Sequence, residues 1–233
     1  MATRRSRARS RVFLLSPANC SGRRAQLMLS PRAGFELAHR LQSRDGAPLG
    51  DVFSFVSGLY FRGKLAYARR FARPPDPSDP IAGGGVLVIT PNAGLRAADT
   101  LVTIPSFEGF AAADVDARNP RYRQPLEDAA RALLDAVGSE CDVVLLGSVA
   151  SGKYVDVLLP IFGRQLAFPS HFVGRGDMSR GGLMLRCVAA GLELDYVAIE
   201  GAVRHGARPP KLEPLTRPAY AAPPARSDSR RRR

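Results

Sequence analysis

Three cysteines, at positions 20, 141 and 187, are all that the 233 residues contain. Their number is odd and no C-x-x-C spacing occurs, which excludes a disulfide framework and a clustered zinc site. No metal or other cofactor is expected, and the usage fits a reducing cytoplasm. Long apolar runs are also missing: none approaches the roughly 18 residues of a membrane span. The basic start "RRSRARSRVFLL" (4–15) imitates a secretory signal. Its apolar part, Val12 to Leu15, is shorter than an h-region of about 7 to 15 residues. Asn19 before Cys20 likewise spoils a lipoprotein-type cleavage site. Histidine is scarce: His39 falls on a predicted helix and reads as structural, and His205 stands alone among basic neighbours.

Acids are outnumbered, 21 Asp and Glu against 34 Lys and Arg, for a formal charge of +13. The excess lies at the two ends. Residues 1 to 11 hold five arginines and no acid, and residues 226 to 233 hold five arginines and Asp228. Those segments carry +5 and +4, leaving +4 for everything between them. Blocks of like charge repel themselves and stay solvated, with at most weak contact to RNA. Residues 1–10 and the Pro/Ala/Arg-rich stretch 213–233 are therefore expected to be disordered tails. Between them, with 45% of the chain hydrophobic, residues 11–212 suffice for one domain with a sizeable core.

Polar alternation is absent from the best strand candidates, "VFLL" (12–15), "VLVIT" (86–90) and "DVVLLG" (142–147). Strands of that kind are buried on both faces. "QLAFP" (165–169) is a weaker candidate, and "LDYVAI" (194–199) suits an edge. Helical spacing marks 31–43, 49–72 (two helices, broken around Gly58 and Gly63), 122–138 (stopped by Gly138) and 152–163. The stretch "RPPDPSDPIAGGG" (73–85) reads as a flexible loop. Strands alternating with helices predict a three-layer α/β domain with a mainly parallel sheet, whose ligands bind beyond the carboxyl ends of the strands.

That rule selects four segments. "GSVASGK" (147–153) has the G-x-x-x-x-G-K spacing of a phosphate loop after a strand, and Ser148 and Lys153 are candidates for an anion. The Ser or Thr that would hold magnesium is missing, replaced by Tyr154, and no predicted strand ends in the second acid an NTPase uses. "SPANCSGRRA" (16–25) supplies Ser16, Asn19, Cys20 and Arg24, with Cys20 a nucleophile if neighbouring cations lower its pKa. "TPNAGL" (90–95) offers Asn92 in a turn. "FVGRGDMSRGG" (172–182) brings Arg175, Asp177, Ser179 and Arg180 before an apolar helix, with the arginines suited to a phosphate or carboxylate and Asp177 or Ser179 to a cap. Tyr60, Arg62 and Lys64 stand together at a helix start, where Tyr60 can stack on a planar ring.

From residue 12 to 212, on the strings "LLSPANCSGRRA", "VFSFVSGLYFRGKLAYA", "LLGSVASGKYVDVLLP" and "FVGRGDMSRGGLMLRC", the chain resembles a conserved bacterial family of uncharacterised α/β proteins. The order of its landmarks is also distantly similar to nucleobase-exchange domains of the archaeosine synthase type. That resemblance matches Ser16 to Arg24, Tyr60 to Lys64 and Gly147 to Tyr154, and implies a tyrosine at 154. "SPAN" before Cys20 departs from the pattern. The expected function is binding of a nucleotide, nucleobase or other small anionic ligand, with Asp177 as acid or base if glycosidic bonds are exchanged or cleaved. An RNA-binding accessory protein acting through its arginine tails and a degenerate phosphate-loop NTPase are the alternatives.

Overall fold

The fold is that of a computed structural model, which describes residues 9–212. At its centre runs β1 (Ser10–Leu15), whose residues Val12 to Leu15 are fully buried. It pairs in parallel with β3 (Val86–Ile89) on one side and β6 (Cys141–Leu146) on the other. β7 (Leu166–Pro169) continues the parallel array beside β6. Two antiparallel strands close the edges, β4 (Leu95–Ala97) against β3 and β8 (Tyr196–Ala198) against β7. The order is β4-β3-β1-β6-β7-β8. Short β2 (Ala47–Pro48) and β5 (Leu101–Val102) form a separate antiparallel pair.

Between β1 and β3 the chain forms α1 (Arg23–Leu29), α2 (Glu36–Gln42), α3 (Leu49–Ser57) and α4 (Leu59–Phe71). It returns through α5 (Ile104–Ala111) and α6 (Pro120–Val137) to β6, and α7 (Gly152–Phe162) links β6 to β7. α8 (Asp177–Ala190) precedes β8. Parallel crossovers are right-handed, so connections that step in opposite directions from β1 cover opposite faces of the sheet. α4 packs on α8, and α6 on α7. The expected three-layer α/β domain is thus present, with one apolar core. No helix among the described residues is long and apolar enough to cross a membrane.

Local differences from the sequence reading have identifiable causes. Gly58 divides α3 from α4 with φ +65° and ψ −132°, a conformation costly for any residue with a Cβ. Gly63 breaks nothing and lies inside α4. Gly138 ends α6 at positive φ, with an extended ψ of −177°. The helix expected over 31–43 begins only at Glu36. The 73–85 loop is fastened by Asp79 Oδ1, which accepts from the backbone N–H groups of Ile81 and Ala82. Residues 1–8 and 213–233 of the expected tails lie outside the described residues. The N-terminal tail ends earlier than expected, since Ser10 already opens β1 opposite Cys141 and Arg9 pairs with Asp142.

Candidate functional site

The chain leaves β1 toward β3 and later returns to β6 on the opposite side of β1. Strand order therefore reverses between β1 and β6, and a crevice opens beyond their carboxyl ends. Ser16 follows β1 there and Gly147 follows β6; the Ser16 N–H donates to the Leu146 carbonyl at 3.2 Å. A Cβ on Gly147 would lie 3.0 Å from Ser16 Cβ and 3.3 Å from its Oγ. Glycine lets the two strand ends meet and keeps any β6 side chain off the Ser16 hydroxyl.

Lys64, in the middle of α4, reaches into this junction. Its Nζ donates to the Ser16 carbonyl at 2.5 Å and lies 2.8 Å from Ser16 Oγ. It also sits over the rings of Tyr60 and Phe61, 4.5 and 4.7 Å from their centroids. The residue is 1% exposed and, among the described residues, makes no ion pair with a carboxylate. Burial drives its pKa down to about 7, against the opposing pull of the Asp177 charge. A cation taken from water without a counterion is expensive for the fold, and such groups concentrate at functional sites.

The cluster extends to α7 and α8. Tyr154 lies with its phenol against the Ser16 side chain; burial raises its pKa to about 12, and the Ser16 hydroxyl offsets part of the rise. The Tyr60 hydroxyl is buried and makes no hydrogen bond among the described residues. Burial raises that phenol as well, and the nearby Arg180 guanidinium opposes the effect. Arg180 is itself buried, with Nε and Nη2 donating to the Phe172 carbonyl at 3.3 and 3.1 Å and Nη1 3.5 Å from Asp177 Oδ1. Two buried cations thus stand near one exposed carboxylate, and the local balance is positive.

A hollow of about 380 Å³ opens at the edge of this cluster, lined by Pro17 to Ser21, Asp114, Lys153 and Tyr154 among others. It shares Asp114, Val115 and Lys153 with a wider neighbour of about 590 Å³ that reaches Asp116, Arg118 and Asn119. Asp114 and Asp116 were not anticipated from the sequence. They lie in an irregular loop between α5 and α6 that carries no motif, and only the fold brings them opposite Lys153.

Ser16, Tyr60, Lys64, Tyr154, Asp177 and Arg180 therefore converge, while Asn19, Cys20 and Lys153 line the adjoining hollow. Asn19 Oδ1 is occupied by the N–H and hydroxyl of Ser21. The idea that Cys20 is an activated nucleophile needs correction: its thiol is buried against the Ala18 carbonyl, and desolvation lifts its pKa to about 12. No cation among the described residues counteracts that rise.

Other candidates are held elsewhere. Arg24 turns to the Phe55 carbonyl at the α3–α4 junction, and Arg62 is exposed on α4. Asn92 lines a different hollow with Arg96 and Pro105. The neighbouring Thr90 spends its hydroxyl within the turn, donating to the Gly94 carbonyl and accepting from the Ala93 N–H. Ser148 is half-buried in the loop after β6. Arg175 bonds the His171 carbonyl, Ser179 Oγ and the Pro210 carbonyl, so it fastens the C-terminal segment. It lines neither hollow with Lys153, and the two arginines expected to clamp an anion, Arg175 and Arg180, are each bonded to carbonyls of the chain itself. Asp177 opens α8 as its first residue, behind an N-cap at Gly176. Neither Asp177 nor Ser179 caps the helix.

The phosphate-loop spacing has a different use here. Tyr154 is turned inward to Ser16, which explains why no hydroxyl residue stands at that position. A Cβ on Gly152 would collide with the Asp156 carboxylate. That acid occupies the helix entry where a phosphate would otherwise be held. Comparison with family models, with curated proteins and with solved structures gives no match.

Proposed function

We propose that this protein binds a small anionic or nucleotide-like ligand in the crevice beyond β1 and β6. The observation that carries the reading is Lys64, a buried amine without a carboxylate partner, hydrogen-bonded to Ser16 at the point where strand order reverses. A hollow of about 380 Å³ suits a ligand of that size. Lys153 supplies a charge at its wall, beside the nearly buried Tyr154. The glycosidic chemistry implied by the resemblance asks for a carboxylate free to exchange a proton with the ligand. Asp177 is exposed and paired with Arg180, so the reading stops at binding. Three unbonded cysteines accord with the reducing cytoplasm as its compartment.

The test is a thermal-shift screen against nucleosides, nucleotides, modified bases and inorganic phosphate. It is run on the full chain, on Lys64→Met and Lys153→Ala, and on a chain lacking residues 1–8 and 213–233, which leaves β1 whole. A ligand at about 100 times its Kd stabilises by about 2.7 kcal/mol, which raises Tm by about 5 to 10 °C for a domain of this size. The shift should persist without the tails and disappear in Lys64→Met. A shift that needs the tails would favour the RNA-binding alternative, and one unchanged in Lys64→Met and Lys153→Ala would remove this crevice from consideration.

A further inference from the structure

We infer that Ser16 and Lys64 form a nucleophile–base pair that transfers acyl groups from small anionic esters or amides to water. The inference rests on the same crevice and adds a reaction to it. Three geometric facts carry it. Lys64 Nζ is 2.8 Å from Ser16 Oγ, within reach for proton transfer. The bond is made on the first residue beyond a central parallel strand, where sheets of this kind present their ligands. Gly147, directly after β6, puts no side chain of its own over the hydroxyl; Ser16 is 5% exposed, and the next residue, Pro17, lines the hollow.

Lys64 Nζ holds the Ser16 hydroxyl as well as its carbonyl, in surroundings that disfavour its charge. Near neutral pH a large share of the amine is unprotonated and ready to accept a proton. In the first step Ser16 Oγ attacks the carbonyl carbon as its proton passes to Lys64 Nζ. The tetrahedral adduct collapses with cleavage of the bond to the leaving group, which takes the proton back from Lys64. Water then attacks the acyl-serine by the same route, its proton moving to Lys64 and on to Ser16 Oγ as the acid product departs. Tyr154, protonated and beside the same hydroxyl, is placed to donate to the oxygen that becomes negative. Lys153, exposed at the wall of the hollow, suits a negative group on the acyl donor.

A fluorophosphonate probe tests this step without needing the natural ligand, since Ser16 Oγ would displace fluoride and leave a stable phosphonyl-serine. The expected result is one adduct by intact mass, mapped to Ser16 and absent in Ser16→Ala. Labelling should accelerate as pH rises through about 7. In Lys64→Met, with a melting temperature at or above that of the unsubstituted protein, labelling should slow by about 100-fold or more. No Ser16 adduct on the folded protein at pH 8, or a rate flat from pH 6 to 8, would overturn the inference. If Lys64→Met fails to fold, the pH profile alone decides. The probe is uncharged, so labelling of Ser16 without any hit in the thermal-shift screen would sink only the proposed ligand, and hits without labelling would sink only the reaction.

Discussion

A Cβ placed on Gly63 would lie 2.7 Å from the backbone oxygen of Gly181, and one on Gly181 would lie 2.9 Å from that of Leu59. The two glycines let α4 and α8 cross backbone to backbone, and that crossing sets Tyr60 near Arg180 and Lys64 near the Asp177 charge. In a helix interior, glycine-to-alanine exchange normally gains roughly 0.5 to 1 kcal/mol. Here the added methyl meets backbone that cannot rotate aside.

Gly63→Ala and Gly181→Ala should therefore each cost about 1 to 3 kcal/mol, the usual range for overpacking. Gly182→Ala provides the control on the same helix, since its Cβ would find only Leu212 Cδ1 at 3.7 Å. It should leave stability unchanged or slightly raised. Thermal denaturation of the three variants checks the ordering, and equal behaviour of all three would refute the close crossing.

The same crossing shows where sequence reading reached its limit. The runs 12–15, 86–90 and 142–147 declared themselves because burial on both faces removes polar alternation, and all three became central strands. Strands as short as β4, three residues long, offer too little pattern to detect. Gly63 read as a break because a lone glycine in a helical pattern is ambiguous between punctuation and close approach, and only α8 decides which. Lys64 and Tyr60 were recognisable, with Arg62, as polar groups at a helix start. Ser16, the partner of Lys64, lies 48 residues away, and no local spacing links them. Arg175 and Arg180 read as an anion clamp because both are cations among glycines, but spacing cannot tell a clamp from an arginine that fastens its own loop.

Burying Lys64 has a measurable pH signature. Its folded pKa, about 7, lies below its ordinary value of 10.5, so between those values the unfolded chain binds more protons than the folded one. Folding stability attributable to this residue then rises with pH from about 7 upward, by as much as about 1.4 kcal/mol per unit. Lys64→Met should lose that slope and be the more stable protein at pH 6, where the buried amine is charged. Urea denaturation at pH 6, 7, 8 and 9 on both proteins isolates the difference. Parallel profiles would mean that the amine remains charged in the fold.

The three thiols should react in a fixed order. Cys187 is partly exposed, whereas Cys20 and Cys141 are buried, and desolvation holds them up to about 12 and about 11. Iodoacetamide at pH 8 should alkylate Cys187 first and reach the other two only on a timescale set by opening of the fold. Peptide mapping against time reads this directly. Rapid labelling of Cys20 in the native protein would restore it as an accessible nucleophile.

A second polar chain fixes the far end of α4. The Leu194 N–H donates to the Tyr67 hydroxyl at 2.7 Å, that hydroxyl lies 2.7 Å from the Tyr196 hydroxyl, and Tyr196 donates to Glu193 Oε1 at 2.9 Å. Arg11 closes the series from β1 by pairing with Glu193. Tyr196 gives its single proton to Glu193, so Tyr67 must donate to Tyr196, and every bond is then oriented. Burial holds the Tyr67 phenol at about 12, so the order persists across neutral pH. Tyr67→Phe removes the acceptor for the Leu194 N–H and the donor for Tyr196, and should cost about 1 to 3 kcal/mol. Tyr196→Phe leaves Leu194 satisfied and should cost less. In a double-mutant cycle the two losses should be smaller together than their sum, because both variants break the same bond. Strict additivity by denaturant titration would show that the hydroxyls act independently.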